Sequence, residues 1–240
     1  NTDLYDEVLE IGPGTGALTE FLLKREEFTT SVMDIDTESI VYLQNNFKAL
    51  ENKIHEQDFL KWNPNLVYGD KKFAVAGNFP YNISSQILFK VLENKNQVPE
   101  VVGMFQKEVA ERVAEGPGTK TYGILGVLLQ TFYDIEYLFT VSEHVFNPPP
   151  KVKSGVIRLV RNSRNDLDCG YKFYARVVKS AFNQRRKTMR NSLKQIIQEC
   201  NPEFTHEWLS RRPEQMSVED FIELANILFE LKGGIEGFND

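Results

Sequence analysis

The chain has 240 residues, 41% of them hydrophobic, which is enough for one large core or a large and a small one. No apolar stretch approaches the ~18 residues of a spanning helix, the opening NTDLYDEVLE is polar and acidic rather than signal-like, and Cys169 and Cys200 without CxxC spacing suit a reducing cytosol. His55, His144 and His206 are scattered at no metal-binding spacing, and the formal net charge of -6 argues against a polyanion partner for the chain as a whole.

Val8 to Ile11 reads as a short buried strand, followed by the loop Gly12-Pro13-Gly14-Thr15-Gly16 and by helical character from Leu18 to Lys24. Such a loop lets a ligand approach the backbone closely, because glycine has no side chain to obstruct it. With Ala17 it also reads as GxGxxA, so by itself it does not separate a dinucleotide from S-adenosylmethionine. A second strand, Ser31 to Ile35, carries Asp34 at its end, placed to bind ribose hydroxyls in either case. Asp36 is expected at the N-cap side of a helix from about Glu38 to Phe47. After a short strand near Ile54 to Glu56 comes Asp58, which is either an acceptor for an adenine amino group or a surface loop acid.

The run Phe73 to Ala76, closed by Gly77, predicts a buried parallel strand that ends in Asn78-Phe79-Pro80-Tyr81. The C-terminal end of a central strand is where open α/β sheets place ligands. There Tyr81 can stack on a planar base, while the Asn78 amide oxygen and the Pro80 carbonyl can accept the two hydrogens of an exocyclic amine. Drawing those hydrogens out of the ring plane frees the nitrogen lone pair for attack. The alternative is a strand-to-turn junction with an exposed tyrosine. A dehydrogenase has no need of this acceptor set, whereas a methyltransferase acting on an amino nitrogen does.

Ser84 is expected to N-cap a helix to Leu92, followed by a strand from Val101 to Phe105 and a helix from Lys107 to Val113. Strand and helix in alternation predict a parallel sheet covered on both faces. Ile135 to Val141 and Val156 to Val160, separated by Pro148-Pro149-Pro150, predict a closing antiparallel pair. Beyond the polar stretch Asn162 to Asp168 the periodicity is helical, over 171–183, 187–199 and 217–232, with breaks at Pro202 and Pro213. The division expected is an α/β domain over 1–164 and a small helical domain over 165–240.

Charge is distributed unevenly. Lys151 to Lys194 holds thirteen Lys or Arg against only Asp166 and Asp168, so the remainder of the chain is strongly acidic. This is the footprint of a polyanion-binding face, or else of a solvated helix face. Lys172, Arg176 and Lys179 fall on one helix face, Lys187, Arg190 and Lys194 make a similar face in the next helix, and Arg185 and Arg186 lie at the turn between. Such faces bind phosphates without reading sequence, and shape recognition of folded RNA is the expected mode.

LEIGPGTGALT at 9–19, VMDID at 32–36, QDF at 57–59, GNFPYNISSQILFKVL at 77–92 and MFQKEVAERV at 104–113 are similar to motifs of the RsmA/KsgA family of small-subunit rRNA adenine dimethyltransferases. The resemblance continues through YGILGVLLQ at 122–130, FNPPPKVKSGVIRL at 146–159, AFNQRRKTMRNSL at 181–193 and MSVEDFIELANIL at 216–228, and so spans nearly the whole chain. It implies a Rossmann-like class I S-adenosylmethionine-dependent methyltransferase domain with a small C-terminal helical domain. The implied reaction is N6,N6-dimethylation of two adjacent adenosines in a hairpin near the 3′ end of 16S rRNA, with a role in small-subunit biogenesis. A cytoplasmic monomer acting on the pre-30S particle, without metal or membrane, is implied too. Carried over by residue, the cofactor set is Gly12, Gly14, Gly16, Asp34, Ile35, Asp58, Phe59 and Asn78. The reactive set is Asn78, Pro80 and Tyr81, with Phe146 covering the other face of the base, although by sequence alone Phe146 also reads as a core anchor. The RNA-binding set is Lys179, Arg185, Arg186, Lys187 and Arg190.

The basic motif at 181–193 favours this family over the macrolide-resistance methylases of large-subunit rRNA, which share the catalytic domain. A non-catalytic RNA-binding assembly factor on the same fold is the third reading. Two departures stand out: the family usually has Leu where this chain has Phe79, and it begins with a basic segment containing a GQxFL-like motif. Only about seven residues precede the first strand here, so a trimmed chain or a start further upstream is expected.

Overall fold

Short apolar runs bounded by glycine or acid become the strands of one seven-stranded sheet. The computed structural model describes residues 2–146 and 150–233. Strands β1 (Glu7–Ile11), β2 (Thr29–Asp34), β3 (Ile54–Glu56), β4 (Phe73–Asn78) and β5 (Glu100–Gln106) run parallel, and β6 (Tyr133–Val141) and β7 (Ser154–Arg161) close the sheet. The order is β3-β2-β1-β4-β5-β7-β6, with β7 antiparallel to both β5 and β6. β1 and β4 lie side by side at the centre of the parallel part, with Leu9 opposite Val75. Leu9, Val32, Val75 and Val101 are fully shielded, as strands covered on both faces require.

The helices are α1 (Thr19–Leu22), α2 (Thr37–Asn46), α3 (Asn65–Tyr68), α4 (Ser84–Glu93), α5 (Lys107–Ala114), α6 (Ile124–Gln130), α7 (Tyr171–Asn183), α8 (Met189–Ser192), α9 (Lys194–Cys200) and α10 (Val218–Leu231). α7 follows its sequence spacing closely: Phe173, Tyr174, Val177, Val178, Ala181 and Phe182 form the buried stripe of an amphipathic helix. α10 opens on a capping box in which the Ser217 hydroxyl and Asp220 carboxylate exchange bonds with each other's backbone N–H.

Three local expectations differ from the structure. Ser84 does not cap α4: it is the first helical residue, fully buried, and its hydroxyl donates to the Tyr81 carbonyl at 3.1 Å, while Ile83 holds the cap position. The segment 187–199 is two helices rather than one, because Thr188 is extended at the start of α8 and Leu193 leaves helical geometry between α8 and α9. Lys187 therefore lies in the turn before α8. Leu18 to Lys24 supplies only the single turn of α1, with hydrogen-bonded turns on either side.

The chain groups into two compact units, one made of the residues to Glu111 with Tyr133–Asn162, the other of Arg112–Phe132 with the residues from Ser163 onward. The stretch Arg112–Phe132 thus packs with the helical unit, although the sequence division placed it in the first domain. The Gln130 amide donates to the Val113 and Glu115 carbonyls at 2.9 and 2.8 Å, and the Thr131 and Tyr174 hydroxyls bond at 2.8 Å. α6 is apolar nearly all round, and such a run has no periodicity to distinguish it from a buried strand.

Candidate active site

The glycine loop leaves β1 on Gly12, whose N–H donates to the Met33 carbonyl of β2 at 2.9 Å. Gly12 has φ +67°, and a Cβ added there would lie 3.5 Å from Pro80 Cδ and 3.9 Å from the Asn78 carbonyl oxygen. The loop after β1 and the Asn78-Phe79-Pro80-Tyr81 segment after β4 are therefore packed against each other. At Gly16, φ is +83° and an added Cβ would strike Phe47 Cζ at 2.5 Å, so a side chain is excluded there twice over. Gly14 faces open space.

Neighbouring strand ends bring the acids to the same edge of the sheet. Asp34 ends β2, and its Oδ1 accepts from the Ile35 and Asp36 N–H groups at 2.8 and 3.1 Å, which leaves Oδ2 without a bond among the described residues. Ile35 is 69% exposed, unusual for an isoleucine beside a strand end. Asp36 caps α2 through the Ser39 N–H and hydroxyl at 3.1 and 2.6 Å, and these bonds hold its carboxyl below the usual range. Asp58 turns the chain after β3: Oδ1 accepts from the Leu60 N–H at 2.9 Å and Oδ2 lies 3.5 Å from Lys61 Nζ. The Phe59 side chain is buried against Trp62 with centroids 6.0 Å apart, so only its backbone can face a ligand.

At the end of β4, Asn78 is exposed, and among the described residues its side-chain amide has no partner. The Pro80 carbonyl accepts from the Ile83 N–H at 3.2 Å and keeps a second lone pair. Phe79 turns inward, fully buried: its ring covers Gly77 and Gly103 and meets Phe105 at 4.9 Å between centroids. A Cβ on Gly103 would sit 2.1 Å from the Phe79 ring, so the larger residue at this position fits because the neighbouring strand carries none there. Tyr81 is half-buried, and its hydroxyl bonds Ser154 Oγ at 2.6 Å. Phe146 follows the turn Glu143–Val145 and is half-buried, and no described contact joins it to Tyr81. Asn147, Pro148 and Pro149 of the same motif lie outside the described residues.

Sequence reasoning missed two groups here. Ser154 is fully buried at the start of β7 and fixes Tyr81 from 73 residues away, with no local signal beyond a small hydroxyl beside Gly155. Glu10 is 1% exposed in the middle of β1, accepts from the Thr19 hydroxyl at 2.6 Å, and is pushed up to about 7 by burial, which outweighs that bond. An acid flanked by Leu9 and Ile11 was the available clue.

In the helical unit the basic residues divide. Arg164 bonds the Thr131 carbonyl at 3.1 Å and Arg176 pairs with Glu199 at 2.7 Å. Arg185 donates to the Thr119 carbonyl at 2.9 Å and lies 4.0 Å from Glu214. Lys172, Lys179, Arg186, Lys187, Arg190 and Lys194 are exposed and unpaired among the described residues. Also among the described residues, no cluster of three or more His, Cys, Asp or Glu could hold a metal, and no helix is long and apolar enough to cross a membrane.

The sheet order, the glycine loop after β1 and the acids at the ends of β2 and β3 define the Rossmann-like fold of S-adenosylmethionine-dependent methyltransferases. The chain belongs to the ribosomal RNA adenine dimethylase family, whose model matches residues 3–230. A ribosomal RNA small subunit methyltransferase A of Cytophaga hutchinsonii is 59% identical over 225 residues, covering 93% of this chain and 86% of that protein. Its namesake in Bacteroides thetaiotaomicron is 56% identical over 219 residues, 91% of this chain and 82% of that protein. Among solved structures, a dimethyladenosine transferase from Plasmodium falciparum superposes with TM-score 0.75 at 25% identity, covering 97% and 93% of the two chains. The 23S rRNA methyltransferase ErmE gives TM-score 0.66 at 25% identity, covering 92% and 91%.

The residues present fit the cofactor of this family. A loop apex open to a ligand, a carboxylate with a free oxygen and an exposed isoleucine beside it suit a nucleoside with ribose hydroxyls and an apolar ring face.

Proposed function

We propose that this chain, an S-adenosylmethionine-dependent rRNA adenine dimethyltransferase, acts on two adjacent adenosines in a hairpin near the 3′ end of 16S rRNA. It does so as a cytoplasmic monomer on the pre-30S particle, without a metal. The observation that carries the site assignment is the packing of Gly12 on Pro80, with 3.5 Å between an added Cβ and the proline ring, because it joins the cofactor loop to the amine-acceptor motif.

In this reading the backbone of Gly12, Gly14 and Gly16 and the free oxygen of Asp34 hold the cofactor's methionyl and ribosyl parts. Ile35, Asp58 and the Phe59 backbone hold the adenine side, and Asn78 meets the cofactor through its backbone, which leaves its side chain to the substrate amine. When bound, S-adenosylmethionine supplies an electrophilic methyl group on a sulfonium. The protein's own work is positioning: Asn78 Oδ1 and the Pro80 carbonyl accept the two hydrogens of the target amine and turn its lone pair out of the ring. Tyr81 stacks on the base and offsets part of the cost of flipping it from the helix, and Phe146 covers its other face. Once methylated, the nitrogen is acidic enough to release its proton to water, so no strong general base is required. Alignment supplies most of the rate. In the helical unit the RNA backbone is held by Lys179, Arg186, Lys187 and Arg190, the exposed and unpaired members of the basic set among the described residues.

Labelled methyl transfer to small-subunit particles, large-subunit RNA and free RNA, run in parallel, tests the substrate. The expected result is transfer to small-subunit particles, two methyl groups on each of two neighbouring adenosines. Preferential labelling of large-subunit RNA would contradict it, and binding without transfer would identify a non-catalytic assembly factor.

A further inference from the structure

The loop between α5 and α6, Glu115 to Gly123, lies outside the basic stretch 151–194 and carries a single lysine, Lys120. Within the helical unit this loop is tied to the end of α7 at two places. Arg185 Nη2 donates to the Thr119 carbonyl at 2.9 Å. Tyr122, fully buried, meets Phe182 edge-on with centroids 6.1 Å apart. A third tie runs from the Gly118 N–H to the Glu214 carbonyl at 2.6 Å. The loop is also braced internally: the Thr119 hydroxyl accepts from the Tyr122 N–H at 3.2 Å, and the Thr121 hydroxyl donates to Glu115 at 3.3 Å.

Lys120 therefore stands between two anchored neighbours, and it is itself exposed with no acid partner among the described residues. Since the Thr119 carbonyl touches the Arg185 guanidinium, peptide geometry holds the Lys120 Cα within about 6 Å of that group. That guanidinium belongs to the residue preceding Arg186 and Lys187, both exposed. The acids that face the loop have partners: Glu214 lies 4.0 Å from Arg185, Glu115 accepts from Thr121, and Glu219 and Asp220, which act on Tyr122, lie 3.5 and 3.6 Å from Arg164 and Arg211. The guanidinium suits the anchoring role because its fixed fork serves a carbonyl and a carboxylate in one plane, which an ammonium does not.

We propose that Lys120 is a phosphate-binding cation of the RNA surface, and that Arg185 is a positioning residue that holds the Lys120 loop instead of contacting RNA. The proposal rests on the RNA-binding reading of this unit. It adds a contact from a distant part of the chain and gives Arg185 a different task from Arg186 and Lys187. A pinned loop presents its lysine with little ordering cost on binding, as preorganised contacts do.

The test is the affinity of the full chain for the rRNA hairpin at several salt concentrations, for Lys120→Gln, Arg185→Lys, their combination, and Arg186→Gln. Melting curves and S-adenosylmethionine affinity serve as controls. Lys120→Gln should weaken binding several-fold and reduce the slope of log K against log salt by about 0.7–0.9, the loss of one phosphate contact. Arg185→Lys keeps the charge but loosens the loop, so it should weaken binding on its own and add nothing to Lys120→Gln. Wild-type affinity and slope for Lys120→Gln, with both reduced in Arg186→Gln, would overturn the role of Lys120 and leave the RNA surface standing. Wild-type behaviour of both variants would remove the RNA surface itself. Losses that multiply in the combined variant would make Arg185 an RNA contact and overturn its positioning role.

Discussion

The strand-end site and the basic stretch were equally conspicuous in the sequence, yet the fold treats them differently. At the ends of β1, β2 and β4, Gly12, Asp34 and Asn78 occupy neighbouring positions because parallel register leaves them no other choice. Along 151–194, by contrast, five arginines turn back into the protein. Arg158 bonds Glu100 at 2.6 Å, Arg161 bonds the Lys95 carbonyl at 3.0 Å, and Arg164, Arg176 and Arg185 are held within the helical unit. Backbone register aims a short side chain, whereas a long cationic one is aimed by whatever acceptor lies within its reach. A motif at a strand end therefore carries more functional information per residue than a charge count.

The largest effect expected from this contrast is on chemistry. Asn78→Ala should lower the methylation rate by on the order of a hundredfold to a thousandfold, by analogy with loss of one preorganised hydrogen-bonding group. Single-turnover rates check it, with cofactor affinity and melting temperature unchanged because the exposed amide supports no other described group.

A second difference concerns the buried carboxyl of β1. Glu10 is pushed from the ordinary 4.5 up to about 7 by burial, so the folded state retains a proton that the unfolded chain releases. Its contribution is fully present below about pH 4.5 and is lost as pH rises through about 7, on the order of 2–3 kcal/mol over that window. Glu10→Gln keeps an acceptor for Thr19 and should flatten this part of the stability profile in denaturant unfolding from pH 4 to 8. An unchanged slope would mean that Glu10 is ionised in the folded protein at neutral pH.

Smaller still is the cost of disturbing the wedge beneath Asn78. Gly103→Ala drives a methyl into the Phe79 ring and should cost about 1–3 kcal/mol, the range for overpacking. Phe79→Leu should restore most of it, because the shorter side chain vacates that space. Equal losses from Gly103→Ala with and without the Phe79→Leu change would show that the ring and the glycine are not a matched pair.

Much of the fold was legible because its signals are local. The apolar runs at 73–76 and 101–105, the glycine loop and the stripe of α7 each announce an element from neighbouring residues alone. What escaped notice was carried by partners distant in the chain. Ser154 holds Tyr81, Thr119 receives Arg185, and Gly103 makes room for Phe79, and in none of these pairs does one residue's surroundings name the other. α6 escaped for a different reason: ILGVLL is apolar on every side, so periodicity has nothing to report. Of the candidate site, Gly12, Asp34 and Asn78 were readable with the strands that end on them. The position of Phe146 depends on a long connection, for which strand register offers no guide.

We propose a division of labour, with chemistry at the end of β4 and RNA affinity in the exposed cations of the helical unit. Its most direct test compares Asn78→Ala with the charge reversal of Arg186, Lys187 and Arg190 to Glu, measuring RNA affinity against salt and the single-turnover rate at saturating RNA. The first variant should keep a wild-type salt slope with a rate at least about a hundredfold lower. The second should show a flattened slope with a near-wild-type rate once RNA is saturating. A normal rate for Asn78→Ala, or RNA affinity and salt slope unchanged by the charge reversal, would contradict it.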